Sequence, residues 1–254
     1  MNGADKHSMG KQARIGAALA TLALALGLIC GAAALLAGPA YRAQLLPLGA
    51  GLQAIRWAAT GAVAGAVAAL IALGLLALAG ASRGGSVAAA ALVLNALVAG
   101  PPLYMYRQVQ SLPRIHDVST DTDDPPHFVA IVPIRKGAPN PVDYKPETAP
   151  QQKRAYPDIA PLRLDATPAQ AFERAERAAR AMAWEIVAVA PNDLRIEATD
   201  TTLLFGFKDD VVIRVRPAAQ GSIVDVRSLS RVGGSDFGVN AKRVRAFMRR
   251  IAAG

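Results

Sequence analysis

The sequence predicts an α+β protein in two parts: three N-terminal transmembrane helices, then a small antiparallel sheet covered by two helices. Three observations predict it. No Asp or Glu occurs between Asp5 and Asp117. Proline punctuates the stretch from Ser111 to about Asp165. Beyond Asp165, an amphipathic helix, four alternating strands and a second amphipathic helix follow in order. The averages of the 254-residue chain, 52% hydrophobic, 5% aromatic, 19% charged and +9 net, blend two unlike halves. Residues 1–106 hold six basic residues against one acidic, and residues 107–254 hold 22 against 18. The high net charge is thus largely membrane-flanking and gives no support for a nucleic-acid partner, for which no aromatic-basic motif or helix-turn-helix is visible. A single cysteine excludes a disulfide framework and a cysteine-based zinc finger.

Residues 1–14 form a basic tail expected in the cytoplasm, and residues 15–106 the membrane region. Between Ile15 and Tyr106 the only charges are Arg42, Arg56 and Arg83, which leave uncharged stretches at Ile15–Gly38, Trp57–Ser82 and Ser86–Tyr106. Each is long enough to cross a hydrocarbon core of ~30 Å. None shows the polar face that a soluble bundle needs. The first run exceeds a signal-peptide core, and Ile29 before Cys30 does not suit a lipoprotein site, so a retained helix with a buried thiol is expected. Lys6, Lys11 and Arg14 favour an N-terminus inside, although the count over all flanks is even. Tyr41, Trp57, Tyr104 and Tyr106 then fall at the outer interface. Gly27-x-x-x-Gly31 and Gly61-x-x-x-Gly65 allow close helix approach, by chance spacing or as a dimer face. Asn95 is expected to hydrogen-bond to a neighbouring helix, and the lack of ionisable groups within the spans argues against a transporter.

Residues 107–165 read as a Pro-rich linker, either extended chain laid on a surface or a partly disordered tether. Within it, Phe128–Val132 could add a strand. The α+β domain is placed at 166–254. Thr167-Pro168 reads as a helix start, with Phe172, Ala175, Ala179 and Met182 on one face. Strands are expected at Trp184–Ala190, Leu194–Thr202, Asp210–Arg216 and Ser222–Ser230, and a last helix over Phe237–Ala252. Alternation along them predicts one apolar face and one wetted, charged face carrying Glu197, Arg214, Arg216, Asp225 and Arg227.

Several blocks of this half, in order, resemble the domain-of-unknown-function family 1499: Asp117–His127, Arg195–Thr202, Phe205–Asp210, Asp225–Gly233 and Ser235–Ala241. The resemblance covers roughly residues 111–252, and with three preceding spans it is similar to a membrane-anchored version of that family. It implies a bacterial or plastid membrane protein and brings no activity and no catalytic residues.

The residues themselves offer few sites. Asp117, Asp121, Asp123 and Asp124, between His116 and His127, lack the glycine and late glutamate of a calcium loop, and aspartates in such loops usually cap turns. No metal and no cofactor is expected. The stretch from Ser230 to Gly238 opens the last helix but lacks the lysine of a phosphate-binding loop, so Ser235 or Asp236 is expected to cap the helix itself. The candidate ligand-binding set is Arg214, Arg227, Arg231, Gly233, Gly234, Ser235 and Asn240, with Asp200, Asp209 and Asp210 as acidic candidates. The basic residues of the last helix, Lys242, Arg243, Arg245, Arg249 and Arg250, could meet anionic lipid headgroups. Two readings follow. In the favoured one, a multi-pass protein of the bacterial inner (plasma) membrane displays the domain in the periplasm to an envelope protein or to lipid. The other is an enzyme or small-ligand binder acting on an anionic substrate at the Arg/Gly-rich loop. A deep pocket between that loop and Asp209/Asp210 would favour the second reading, and a fully paired face the first.

Overall fold

The computed structural model describes residues 3–253 and divides at Arg107/Gln108 into a helical unit and an α+β unit. The helical unit holds α1 (Gly3–Arg42), α2 (Leu48–Leu78) and α3 (Gly85–Val109). All three are long and apolar enough to cross a membrane. α2 begins well before Trp57, so Arg56 sits on the helix instead of in the hairpin, because one arginine near a helix end does not stop it once Pro47 has set an extended start.

Their packing inverts that of a water-soluble bundle. Small residues face inward: Ala20 and Ala23 on α1, Ala62 and Ala69 on α2, Ala88 and Ala91 on α3. Large aliphatics such as Leu22, Ile29, Leu35, Leu70, Ile71 and Leu97 face outward. Lipid makes this arrangement favourable, since it removes any drive to hide leucine and leaves close backbone approach to hold helices together. Asn95 is fully buried where the helices meet, and its Nδ2 donates to Ala23 O (3.0 Å) and Ala91 O (2.8 Å). The glycines of both spaced pairs serve this intrachain packing. A Cβ on Gly65 would lie 2.3 Å from Asn95 Oδ1, and one on Gly61 would lie 2.7 Å from Cys30 Sγ.

The α+β unit builds one antiparallel sheet from β1 (Asp117–Ser119), β2 (Leu162–Leu164), β3 (Glu185–Ala190), β4 (Arg195–Thr201), β5 (Lys208–Pro217) and β6 (Ser222–Ser230). The order is β1-β6-β5-β4-β3, and β2 shares the free edge of β6 with β1. The four expected strands are present, with β6 as predicted, and the proline-rich stretch supplies two more. α5 (Pro168–Ala181) starts at a capping box, in which Thr167 and Gln170 bond reciprocally. α6 (Val239–Ala252) ends the unit. These two helices cover one sheet face with a core of Phe172, Ala175, Ile196, Ile213, Val226 and Phe247, among others, and Trp184 stacks on Phe247 at 5.7 Å.

The other face corrects the expectation of a solvated surface. Glu197, Asp225 and Arg227 are all buried. The proline-rich segment lies across them as irregular chain, with Phe128 and Ile131 packed on Val212 and Leu229. The domain boundary expected at 166 therefore falls inside the unit, which begins at Gln108. Phe128–Val132 is not a strand. It turns into a short 3-10 helix at Pro133–Arg135, because its amides are taken by a side chain: Glu197 accepts from Val129, Ala130 and Ile131 N–H at 2.9–3.1 Å. A buried amide needs a partner, and here a charged side chain of the sheet supplies it where the proline-interrupted segment forms no ladder. The short helix α4 (Thr148–Ala155) adds Gln152, which bonds both N–H and O of Ser119.

Candidate functional site

The candidate residues separate into groups on opposite sides of the sheet. β4, β5 and β6 alternate sides at each residue, so Asp210 and Asp209, adjacent in sequence, point to different layers. On the segment-covered side, Asp210 is fully buried and receives Arg231 bidentately (2.8 and 2.9 Å), the Thr199 hydroxyl (2.7 Å) and Arg135. Arg135 continues to the carbonyls of Asn140 and Ser230. Burial alone would raise the Asp210 carboxyl, but Arg231, Thr199 and Arg135 outweigh it and hold the group below the usual aspartate range. Burial lowers the Arg135 guanidinium from its ordinary value against the pull of Asp210.

Arg227, with 1% exposure, is bidentate to Asp117 (2.8 and 2.9 Å), donates to the carbonyls of Pro126 and Val142, and lies over the rings of Phe128 (5.2 Å) and Tyr144 (5.4 Å). Such charge-assisted forks are the strong form of the hydrogen bond. Arg214 and Arg216 share Asp225 and reach over to Asp121 and Asp124. Asp121 also caps its own turn, accepting from Asp123 and Asp124 N–H. On the helix side, Arg243 joins Asp200 and Asp209, each at 2.8 Å, while Asn240 bonds Ser228, Ser230 and the His116 carbonyl.

The Gly233-Gly234 loop is exposed. Gly233 O accepts from Asn140 Nδ2, and Ser235 Oγ accepts from Phe237 N–H. Asp236 takes the amides of Gly238 and Asn240 (2.9 and 2.8 Å), the place an anion would occupy at the start of α6. Its burial raises the carboxyl above the usual range in spite of those amides.

The structure thus keeps Asp209 apart from Asp210, and each is engaged by arginine instead of facing a cavity. A carboxylate clamped by two guanidiniums is a poor proton acceptor at neutral pH. Among the described residues no group of three or more His, Cys, Asp or Glu is arranged to hold a metal. A groove of about 590 Å³ lies between Asp123–Phe128 and Val142–Ala149, with Arg227 at its floor. Tyr144 lines it through a buried hydroxyl that has no hydrogen-bond partner, and burial pushes that hydroxyl well above its ordinary pKa. Sequence reasoning missed Arg135, Asn140, Tyr144 and Gln152. All four sit in the proline-rich stretch, where the only hint was polar residues between prolines following an apolar run.

The geometry defines a class: a three-helix membrane protein carrying an α+β domain whose second sheet face is closed by an irregular, ion-paired segment. The chain belongs to the family described as Protein of unknown function (DUF1499), whose model matches residues 117–251. That match begins at β1, so the proline-rich segment is part of the family's domain. No curated protein and no solved structure matches the chain.

Proposed function

We propose that this protein is a multi-pass anchor of the bacterial inner (plasma) membrane that presents its α+β domain in the periplasm as a binding module for an envelope protein or anionic headgroups, and that it is not an enzyme. One observation carries the non-enzymatic reading: each acidic candidate is bonded within the domain, Asp210 to Arg135 and Arg231, and Asp200 and Asp209 to Arg243. The same internal pairing of Arg214, Arg227 and Arg231 leaves the Arg/Gly-rich loop a weak host for an anionic substrate. The side of the membrane rests on Lys6, Lys11 and Arg14 before the first span. A phosphatase reporter fused after Arg114 is expected to be active, and a stably expressed but silent fusion would reverse the orientation. Crosslinking in native membranes is expected to recover a discrete envelope partner or lipid adduct on residues beyond 117. Turnover of a phosphorylated substrate that Arg231→Ala abolishes would overturn the binding-module reading.

A further inference from the structure

We propose that the groove between residues 122–128 and 142–149 binds a neutral, hydroxylated ligand that carries an acylamino group, the chemistry of an N-acetylated amino sugar. The groove lies wholly within the α+β unit, so the inference is independent of which side of the membrane that unit faces. Its volume of about 590 Å³ falls inside the range of small-molecule sites, roughly 300–1,000 Å³. Two donors in its lining lack acceptors. The Tyr144 hydroxyl is buried and bonds nothing in the protein. Burial, and after it Asp117, keeps the proton on that oxygen, so it is a donor at neutral pH. Arg227 and Asp123, which line the groove, also act on the hydroxyl and place it among the groove's own residues. The second donor is on Arg227, whose guanidinium offers five N–H groups. Asp117 takes two of them, and the carbonyls of Pro126 and Val142 take one each, which leaves one on Nη1.

A buried donor without an acceptor is a cost to the free protein, and an oxygen supplied by a ligand removes it. Phe128 and Val142 share the lining and pack in one apolar cluster. Two donors beside an apolar pair suit a carbonyl oxygen with a methyl attached, as in an acetamido group. The rest of the ligand meets carboxylates: Asp123 and Asp143 line the same groove and are exposed. Carboxylates accept from hydroxyls and disfavour an anion, so a neutral polyol ring fits better than a phosphate. Asp123 is paired with Lys153 at 2.9 Å, but both side chains are exposed, and such a pair yields readily to a ligand. A peptide is the poorer match. Neither wall carries a strand among the described residues, so an extended chain finds no backbone edge to pair with. The mixed lining is also not the apolar trough that seats an amphipathic helix.

The test uses the full chain in nanodiscs of phosphatidylethanolamine and phosphatidylglycerol, which avoids sugar-headed detergents, with saturation-transfer NMR as the readout. The probe is N,N′-diacetylchitobiose, and cellobiose supplies the same pair of rings without acetamido groups. Saturation is expected to be strongest on the acetamido methyl protons, and cellobiose is expected to bind several-fold more weakly. Tyr144→Phe keeps the ring and should leave thermal unfolding unchanged or raised. It should weaken diacetylchitobiose by about 2–10-fold, the equivalent of one hydrogen bond, and leave cellobiose unchanged. Asp143→Ala, at an exposed position, should weaken both sugars. No saturation transfer from the wild-type chain overturns the inference, as does equal binding of the two sugars. Binding that survives both Tyr144→Phe and Asp143→Ala places the sugar elsewhere and overturns it too. Displacement of the sugar by inorganic phosphate at equal concentration makes the groove an anion site and likewise overturns it.

Discussion

The two units bury polarity in opposite ways. The helical unit brings alanines and glycines together and admits a single amide, Asn95, at the point where Gly27 and Gly65 leave room for it. The α+β unit buries arginines and carboxylates by the handful on one sheet face. The contrast follows from what each backbone lacks. Helices in lipid satisfy their own N–H and C=O groups, so their interface needs only close fit. A proline-rich segment makes few regular bonds of its own, and side chains supply much of what its backbone lacks: Glu197 takes the amides of Val129–Ile131, Arg227 the carbonyls of Pro126 and Val142, and the segment's own Arg135 the carbonyl of Asn140. The buried charges fasten irregular chain to the sheet.

The largest expected effect tests that fastening. Arg227→Ala strands the Asp117 carboxylate and frees two segment carbonyls, and breaking a buried pair from one side costs about 3–5 kcal/mol. Urea unfolding followed by Trp184 fluorescence, in a Trp57→Phe background, measures it. A loss below about 1 kcal/mol would mean the segment is held by its apolar contacts alone. Limited proteolysis adds a local reading: cleavage after Lys136 or Lys145 should accelerate before the sheet unfolds.

The helical unit is probed by Gly65→Ala. The new Cβ would lie 2.3 Å from Asn95 Oδ1 and 2.7 Å from its Cγ, so the helices must part or the amide must leave its bonds to Ala23 and Ala91. Overpacking of this kind costs about 1–3 kcal/mol. Asn95→Ala should relieve most of that cost, and a strongly non-additive pair in thermal unfolding would locate the strain at this contact. Additive effects would mean that α2 meets its neighbours elsewhere.

The same contrast governs what the sequence could reveal. The spans, the helix start at Thr167-Pro168, the alternation of β5 and the full extent of β6 are local patterns, readable because each residue's place depends on neighbours a few positions away. The second face is not local. Arg227 reaches Asp117 across 110 positions, and Glu197 reaches Val129 across 68. Alternation correctly set these residues on one face, but water and a covering segment are equally good reasons for charge there. Reading that face as wet followed from treating prolines as the mark of a linker. Of the arginines expected to bind a ligand, Arg227 finds its partners in the stretch that has no periodicity, Arg214 divides between Asp124 there and Asp225 in the sheet, and Arg231 is held by Asp210 within the sheet.

Acid should act on the ion-paired face first. Arg231, Thr199 and Arg135 hold the Asp210 carboxyl below the ordinary value of about 3.9. A lowered folded-state pKa supplies stability that is fully present above about pH 4 and is lost as pH falls through the folded value. Asp236, raised by burial, acts in the opposite sense: its contribution is complete below about pH 4 and is lost as pH rises through its folded value. Asp210→Asn should lower the urea midpoint at every pH and flatten its fall between roughly pH 4 and pH 2. An unchanged acid limb would assign it to other lowered carboxyls, such as Asp121 and Asp158.

The smallest effect separates the groove's ring from its hydroxyl. The Tyr144 hydroxyl is buried without a partner, whereas its ring lies 5.4 Å from the Arg227 guanidinium. Deleting an unsatisfied hydroxyl removes a desolvation penalty and leaves the ring in place, so Tyr144→Phe should be neutral or stabilising by up to about 1 kcal/mol. Tyr144→Leu gives up the cation–π contact and should cost about 0.5–2 kcal/mol. If Tyr144→Phe instead destabilises the purified chain by more than Tyr144→Leu does, the oxygen is the working part of the residue.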